Sequence, residues 1–196
     1  MENRNVKNLR IIRILLSKPD GSLTKYRIAK QAECSTSWVI EFLRKLESQK
    51  LARKTKVLDF GRLIDYYIEI MPKIKHSEFF VQEPLKLLKG SKLDYALTTY
   101  GAENFTSRHL FLSRYDVYIK EEDIDKWKSL IMKGGLLGKG NLRLMLANDH
   151  AIFKEAKEIK GIRIVQMPQL LIDLKKEGGV CMEAYNMLVK GGCIRT

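Results

Sequence analysis

Asp116, Glu155 and Lys157 are residue types that a nuclease combines, acids to hold a metal ion and a lysine to meet developing charge. Glu155 and Lys157, however, read as helical, where strand positions would be expected for such a centre. Gly134-Gly135-Leu136-Leu137-Gly138-Lys139-Gly140 has the glycine content of a phosphate cradle. It lacks the Gly-Lys-Ser/Thr ending of a nucleotide-binding loop, and it reads as a flexible connection between a helix and a strand. Glu121-Glu122-Asp123 with Asp125 could hold a cation, but acids at a helix start are favoured by the helix dipole alone. Cys34, Cys181 and Cys193 are far apart, as are His76, His109 and His150. Neither set has zinc or disulfide spacing. The expectation is therefore a chain without metal, cofactor or catalytic centre. The reading held against it is a nucleic-acid enzyme, nuclease or nucleotidyltransferase-like.

Charge points in a more specific direction. The 196 residues carry 36 Lys+Arg and 23 Asp+Glu, a net of +13. Residues 1–56 hold 14 basic and 5 acidic residues, so +9 of that excess sits in the first quarter of the chain. A polyanionic partner for this segment is the expectation. No apolar run approaches the roughly 20 residues that cross a bilayer, and Met1 to Lys7 is polar. A cytoplasmic protein with no membrane role is expected.

The elements that must carry this charge are legible. Val6, Leu9, Ile12 and Leu16 recur at helical spacing, with Arg10 and Arg13 read on the side away from that stripe. Pro19-Asp20-Gly21 is a turn. Leu23 to Ala32 gives a short helix, and Glu33-Cys34 a break. Ser35 is placed to cap a helix from Thr36 to about Gln49 that buries Val39, Phe42, Leu43 and Leu46. Leu51 leads into the basic run Arg53-Lys54-Thr55-Lys56. Asp59 can cap a further helix carrying Phe60, Leu63, Ile64, Tyr67, Ile68 and Met71 up to Pro72.

Leu23 to Lys54 resembles the winged helix-turn-helix of prokaryotic transcription regulators. The carriers are Ile28-Ala29, Cys34-Ser35, Trp38-Val39, Leu43, Leu46 and Leu51-Ala52-Arg53-Lys54. Lys50 departs from the pattern, standing where such domains commonly have Gly. The resemblance implies that the Thr36 helix enters the major groove. Its outward residues are Ser35, Thr36, Ser37, Glu41, Arg44 and Lys45. Arg44 suits a guanine edge or a phosphate, and Glu41 either a cytosine amino group or a basic neighbour. Lys25, Arg27 and Lys30 on the preceding helix, with Arg53, Lys54 and Lys56 in the wing, suit phosphates. Trp38 is expected in the core.

From Ser77 onward, short apolar strands alternate with helices. Strands are expected at Glu78–Val81, Tyr115–Ile119, Asn141–Ala147 and Ile162–Val165, with Leu93–Thr98 as strand or helix entry. Helices are expected at Pro84–Lys89, Ala102–Leu112, Glu121–Met132, Pro168–Lys176 and Met182–Lys190. The fold expected is α+β: an N-terminal winged helix-turn-helix over 1–75, then a mixed α/β domain around a small sheet over 76–196.

Tyr95-Ala96-Leu97-Thr98 with Gly101-Ala102, the Tyr115–Ile119 strand, and Pro168 to Leu174 resemble the C-terminal half of AbiEi-type regulators, the antitoxins of type IV toxin–antitoxin systems. Thr99 departs from that family, which usually has Gly there. The resemblance implies a DNA-binding regulator, a repressor of its own operon, with a toxin protein as a further partner. A homodimer on double-stranded DNA is the expectation that follows.

Overall fold

The computed structural model describes residues 4–191; Met1–Asn3 and the segment holding Cys193 lie outside them. The chain divides into two compact units, one comprising Met1–Pro72 with Val189–Thr196, the other Lys73–Leu188. Taken together the fold is α+β, with a seven-stranded mixed sheet in the second unit.

The first unit opens with α1 (Arg4–Ser17), α2 (Lys25–Gln31) and α3 (Thr36–Ser48). A short antiparallel hairpin, β1 (Ala52–Arg53) and β2 (Lys56–Val57), precedes α4 (Phe60–Ile70). Each start signal in the sequence does its work. Thr24 Oγ1 accepts from Arg27 N, Ser35 Oγ from Trp38 N, and Asp59 Oδ1 from Arg62 N at 2.9–3.2 Å, satisfying backbone donors that the first turn leaves open. Ile28, Ala29, Val39, Phe42, Leu43, Leu46, Leu63 and Ile64 close the core.

Both α2 and α3 end in the same device. Leu51 N donates to Leu46 O, and Lys50 N to Glu47 O, each at 2.9 Å. Cys34 N donates to Ala29 O at 3.0 Å, and Glu33 N to Lys30 O at 3.4 Å. These paired bonds are a Schellman motif, which requires a left-handed residue after the cap. Lys50 (φ 57°) and Glu33 (φ 54°) occupy that position where glycine is the unstrained choice.

Arg10 and Arg13 correct the expected helix face. They are 4% and 3% exposed, because α1 is enclosed on more sides than its apolar stripe implies. The α2–α3 turn covers Arg10, which reaches Glu33 at 3.1 Å, and α4 covers Arg13, whose Nη1 donates to Tyr67 Oη at 3.2 Å.

The second unit contains β3 (His76–Val81), α5 (Pro84–Gly90), β4 (Tyr95–Thr98), α6 (Thr99–Thr106), β5 (Tyr115–Ile119), a 3-10 turn (Glu121–Asp123) and α7 (Ile124–Ile131). There follow β6 (Gly135–Leu137), β7 (Leu142–Leu146), α8 (Ala151–Glu155), β8 (Lys157–Ile159), β9 (Ile162–Ile164), α9 (Met167–Glu177) and α10 (Val180–Lys190). The strand order is β6-β3-β7-β5-β4-β9-β8, with β5–β7 and β4–β9 parallel and the other pairs antiparallel. All four β4 residues are buried, as a strand covered on both faces requires. Thr98 faces α9, where it meets Asp173, while Tyr95 faces the other way onto Trp127 of α7, ring centroids 6.1 Å apart.

Four local expectations change. Residues 134–140 hold strand β6 rather than only a loop: a Cβ on Gly135, which pairs with Val81, would overlap the Phe80 carbonyl, so this glycine serves close strand approach. Lys157 lies in a strand that pairs with β9, not in a helix. The Glu121–Met132 helix begins as a 3-10 turn. Helix α6 starts earlier and stops at Thr106, because the buried Glu103 carboxylate accepts from His109 N and Leu110 N and holds the following segment as a loop.

Lys50→Gly should raise the stability of the protein by about 1 kcal/mol, since it removes the left-handed Cβ penalty at an exposed site. Urea unfolding of the two proteins measures it; equal midpoints at equal slopes would show that Lys50 carries no strain.

Candidate nucleic-acid interface

Because α3 buries Val39, Phe42, Leu43 and Leu46, a period of 3.6 puts Ser37, Glu41 and Arg44 on the opposite side. All three are exposed, as are Ser35, Thr36 and Lys45 on the same helix. Lys25, Arg27 and Lys30 on α2, and Arg53, Lys54 and Lys56 on the hairpin, are exposed as well. The three elements are neighbours, α3 packing against both α2 and β1. Among the described residues none of these eight cations is neutralised by an ion pair, leaving their charge available to an anionic partner.

Individual positions differ in what they can do. Ser35 Oγ is engaged by the Trp38 amide, which leaves its hydroxyl hydrogen free to donate outward. Lys45 is turned to the flank of the helix, its Nζ 5.7 Å from the Tyr66 ring centroid. Trp38 is half-buried, not enclosed as expected: its Nε1 donates to Asn8 Oδ1 at 3.0 Å and Lys7 covers the ring at 5.7 Å. It therefore braces α3 on α1.

The hairpin is held in place by two side chains that the sequence did not single out and by one backbone bond. Glu47 Oε1 accepts from Lys54 N at 2.5 Å, at a tip where Lys54 has φ 55°. Thr55 Oγ1 donates to Gly21 O at 3.0 Å, and Val57 N to Pro19 O at 2.9 Å. The result is an open cleft of about 480 Å³ lined by Asp20, Gly21, Arg53, Lys54, Thr55 and Lys56. Tyr26, 68% exposed between Lys25 and Arg27, is a further overlooked member. Its signal was an aromatic with a polar tip among cations, pointing away from Ile28 and Ala29.

The residues weighed for the enzymatic alternative lie on separate elements. Asp116 is buried, bonded to Thr99 Oγ1 and held by Arg114 Nε at 2.7 Å and Arg143 Nε at 3.4 Å. Glu177 joins the same network through Arg114 at 2.7 Å, and the two guanidiniums hold its carboxyl below the ordinary range against the opposing effect of burial. Strands β4 and β9 stand between Asp116 on β5 and Lys157 on β8, a separation of about 14 Å at ordinary strand spacing. Glu155 lies on α8 instead. Asp123 and Asp125 pair with Lys126 and Lys128. Among the described residues no group of three His, Cys, Asp or Glu could hold a metal ion.

No protein-family model, curated protein or solved structure matches this chain.

Thr98 and Thr99 tie the second unit together through two carboxylates. Thr99 takes a left-handed conformation (φ 44°), unusual for a β-branched residue, where it bonds Asp116. Thr98 Oγ1 donates to Asp173 Oδ2 at 2.6 Å, and Tyr118 Oη and Gln169 Nε2 donate to Oδ1 at 2.9 Å. Burial pushes the Asp173 carboxyl from 3.8 up to about 6, against the opposing pull of these bonds and of Lys176. A raised carboxyl pKa means that the folded state binds the extra proton. Its stabilising contribution is full below the unfolded value and declines as pH rises through about 4 to 6. Asp173→Asn should therefore gain stability relative to the parent, by up to about 3 kcal/mol, between roughly pH 4 and pH 8. Unfolding free energies across that range test it; a difference that does not change with pH contradicts it.

Proposed function

We propose that this chain is a sequence-specific, double-stranded-DNA-binding transcription regulator whose first unit is a winged helix-turn-helix. The observation that carries the reading is the outward face of α3, hydroxyls with Arg44 and Glu41, beside unneutralised cations on α2 and the hairpin. Helix α3 is the recognition helix, the hairpin is the wing, and Lys25, Arg27, Lys30, Arg53, Lys54 and Lys56 engage phosphates. The hydrogen-bonded ties to Glu47, Gly21 and Pro19 support this reading, since groove and backbone contacts require fixed mutual spacing.

The second unit serves self-association or a protein partner. Supporting this role, β6 forms one edge of the seven-stranded sheet with Leu136 and Leu137 67% and 69% exposed, beside an exposed Phe80. An open apolar edge of this kind favours pairing with another chain. A homodimer suits a two-fold operator, and the resemblance to AbiEi-type antitoxins adds a toxin protein as a second candidate partner. No helix among the described residues is long and apolar enough to cross a membrane.

Titration of the chain's own upstream duplex should give selective binding, two chains per site, that weakens steeply between roughly 50 and 200 mM salt. Arg44→Ala should cost about 1–3 kcal/mol on that duplex, whereas Lys54→Ala should weaken selected and scrambled duplexes alike and reduce the salt slope. Equal, weak binding to both duplexes by the unaltered chain would remove the regulator reading.

A further inference from the structure

Glu41 is the acidic member of the face just described, and nothing in the fold accounts for it. It is exposed on α3, opposite Val39, Phe42, Leu43 and Leu46 and in line with Ser37 and Arg44. Among the described residues no cation pairs with it. Arg44, one turn on, forms no ion pair either. Lys45, at the spacing where a helical salt bridge would form, directs its ammonium to the Tyr66 ring instead. The carboxylate caps no amide and holds no hairpin, unlike Glu47 seven residues before Lys54.

An unpaired carboxylate among eight cations opposes phosphate binding by like-charge repulsion. It needs a partner that donates hydrogen bonds without carrying negative charge at the contact. In the major groove the cytosine N4 amino group is such a donor, while guanine presents only acceptors at O6 and N7 and thymine an acceptor at O4. Adenine N6 donates too, but its neighbouring N7 acceptor repels a second carboxylate oxygen and rewards an amide side chain. Glu41 lies in the N-terminal half of α3, the part that a helix of this kind brings nearest the bases.

Building on the DNA-binding reading above, we infer that Glu41 is the specificity-determining residue of the interface, selecting a C·G pair at one position of each half-site. Its second effect is to weaken binding to unselected DNA, so that the cations alone do not hold the protein on every sequence. Selectivity arises from the difference between these two effects.

Selection from a randomised duplex pool tests this with three proteins: the unaltered chain, Glu41→Gln and Glu41→Ala. The unaltered chain should enrich cytosine at one position per half-site, by about tenfold over other bases. Glu41→Gln should move that preference to adenine, and Glu41→Ala should leave the position degenerate. Both variants should bind an unselected duplex more tightly than the parent does, which also reports that they are folded. Identical enriched sequences from all three proteins would overturn the assignment to Glu41 and leave the DNA-binding reading standing. No enrichment of any sequence by the unaltered chain would remove both.

Discussion

Arg10 reaches from α1 into the turn between α2 and α3, where Nη1 donates to the Ala32 carbonyl at 3.5 Å and to Glu33 Oε2 at 3.1 Å. The geometry of the candidate interface depends on that guanidinium. Ala32 offers one of the carbonyls that the end of α2 leaves without a helical partner, and Glu33 is the left-handed residue on which the chain reverses. A hydrogen bond to a charged group contributes about 1.5–3 kcal/mol, the same order as the strain of a non-glycine residue in that conformation. The angle at which α3 leaves α2, and hence where Ser37, Glu41 and Arg44 are presented, is fixed from the inside by a charge.

The same logic extends outward from α3. Trp38 braces it on Asn8 and Lys7, and Glu47 binds the hairpin tip. Thr55 and Val57 fasten the hairpin to the Pro19–Gly21 turn. Charged and polar residues that hold the frame are thereby separated from those left unpaired on its surface. The second unit uses its polar residues differently. Thr98, Thr99, Asp116, Asp173, Arg114 and Glu177 bind one another and lock β4, β5 and α9 together. That network satisfies its carboxylates internally, in contrast with the free Glu41.

Much of the first unit was readable because its signals are local. Thr24, Ser35 and Asp59 are caps whose chemistry involves residues three positions away. The stripe on α3 follows from its spacing alone. The fate of Arg10 and Arg13 was not readable, since it depends on Glu33 and Tyr67, 23 and 54 residues distant. In the second unit, β6 was hidden because glycines that signal a loop also permit close strand approach, as at Gly135 beside Phe80. The early end of α6 depends on the carboxylate of Glu103 turning back onto amides six and seven residues ahead, which no helical periodicity encodes. Of the candidate interface, all twelve expected residues lie exposed. The positioning roles of Glu47 and Thr55 emerge only when the hairpin is folded back.

The most direct test of the central claim is an NMR titration of the isotopically labelled chain with its own upstream duplex, following every backbone amide. Shifts concentrated at residues 25–30, 35–45 and 53–56, with the amides around Asp116 and Asp173 unmoved, are the result this account predicts. Shifts confined to the second unit, or none at saturating duplex, would contradict it.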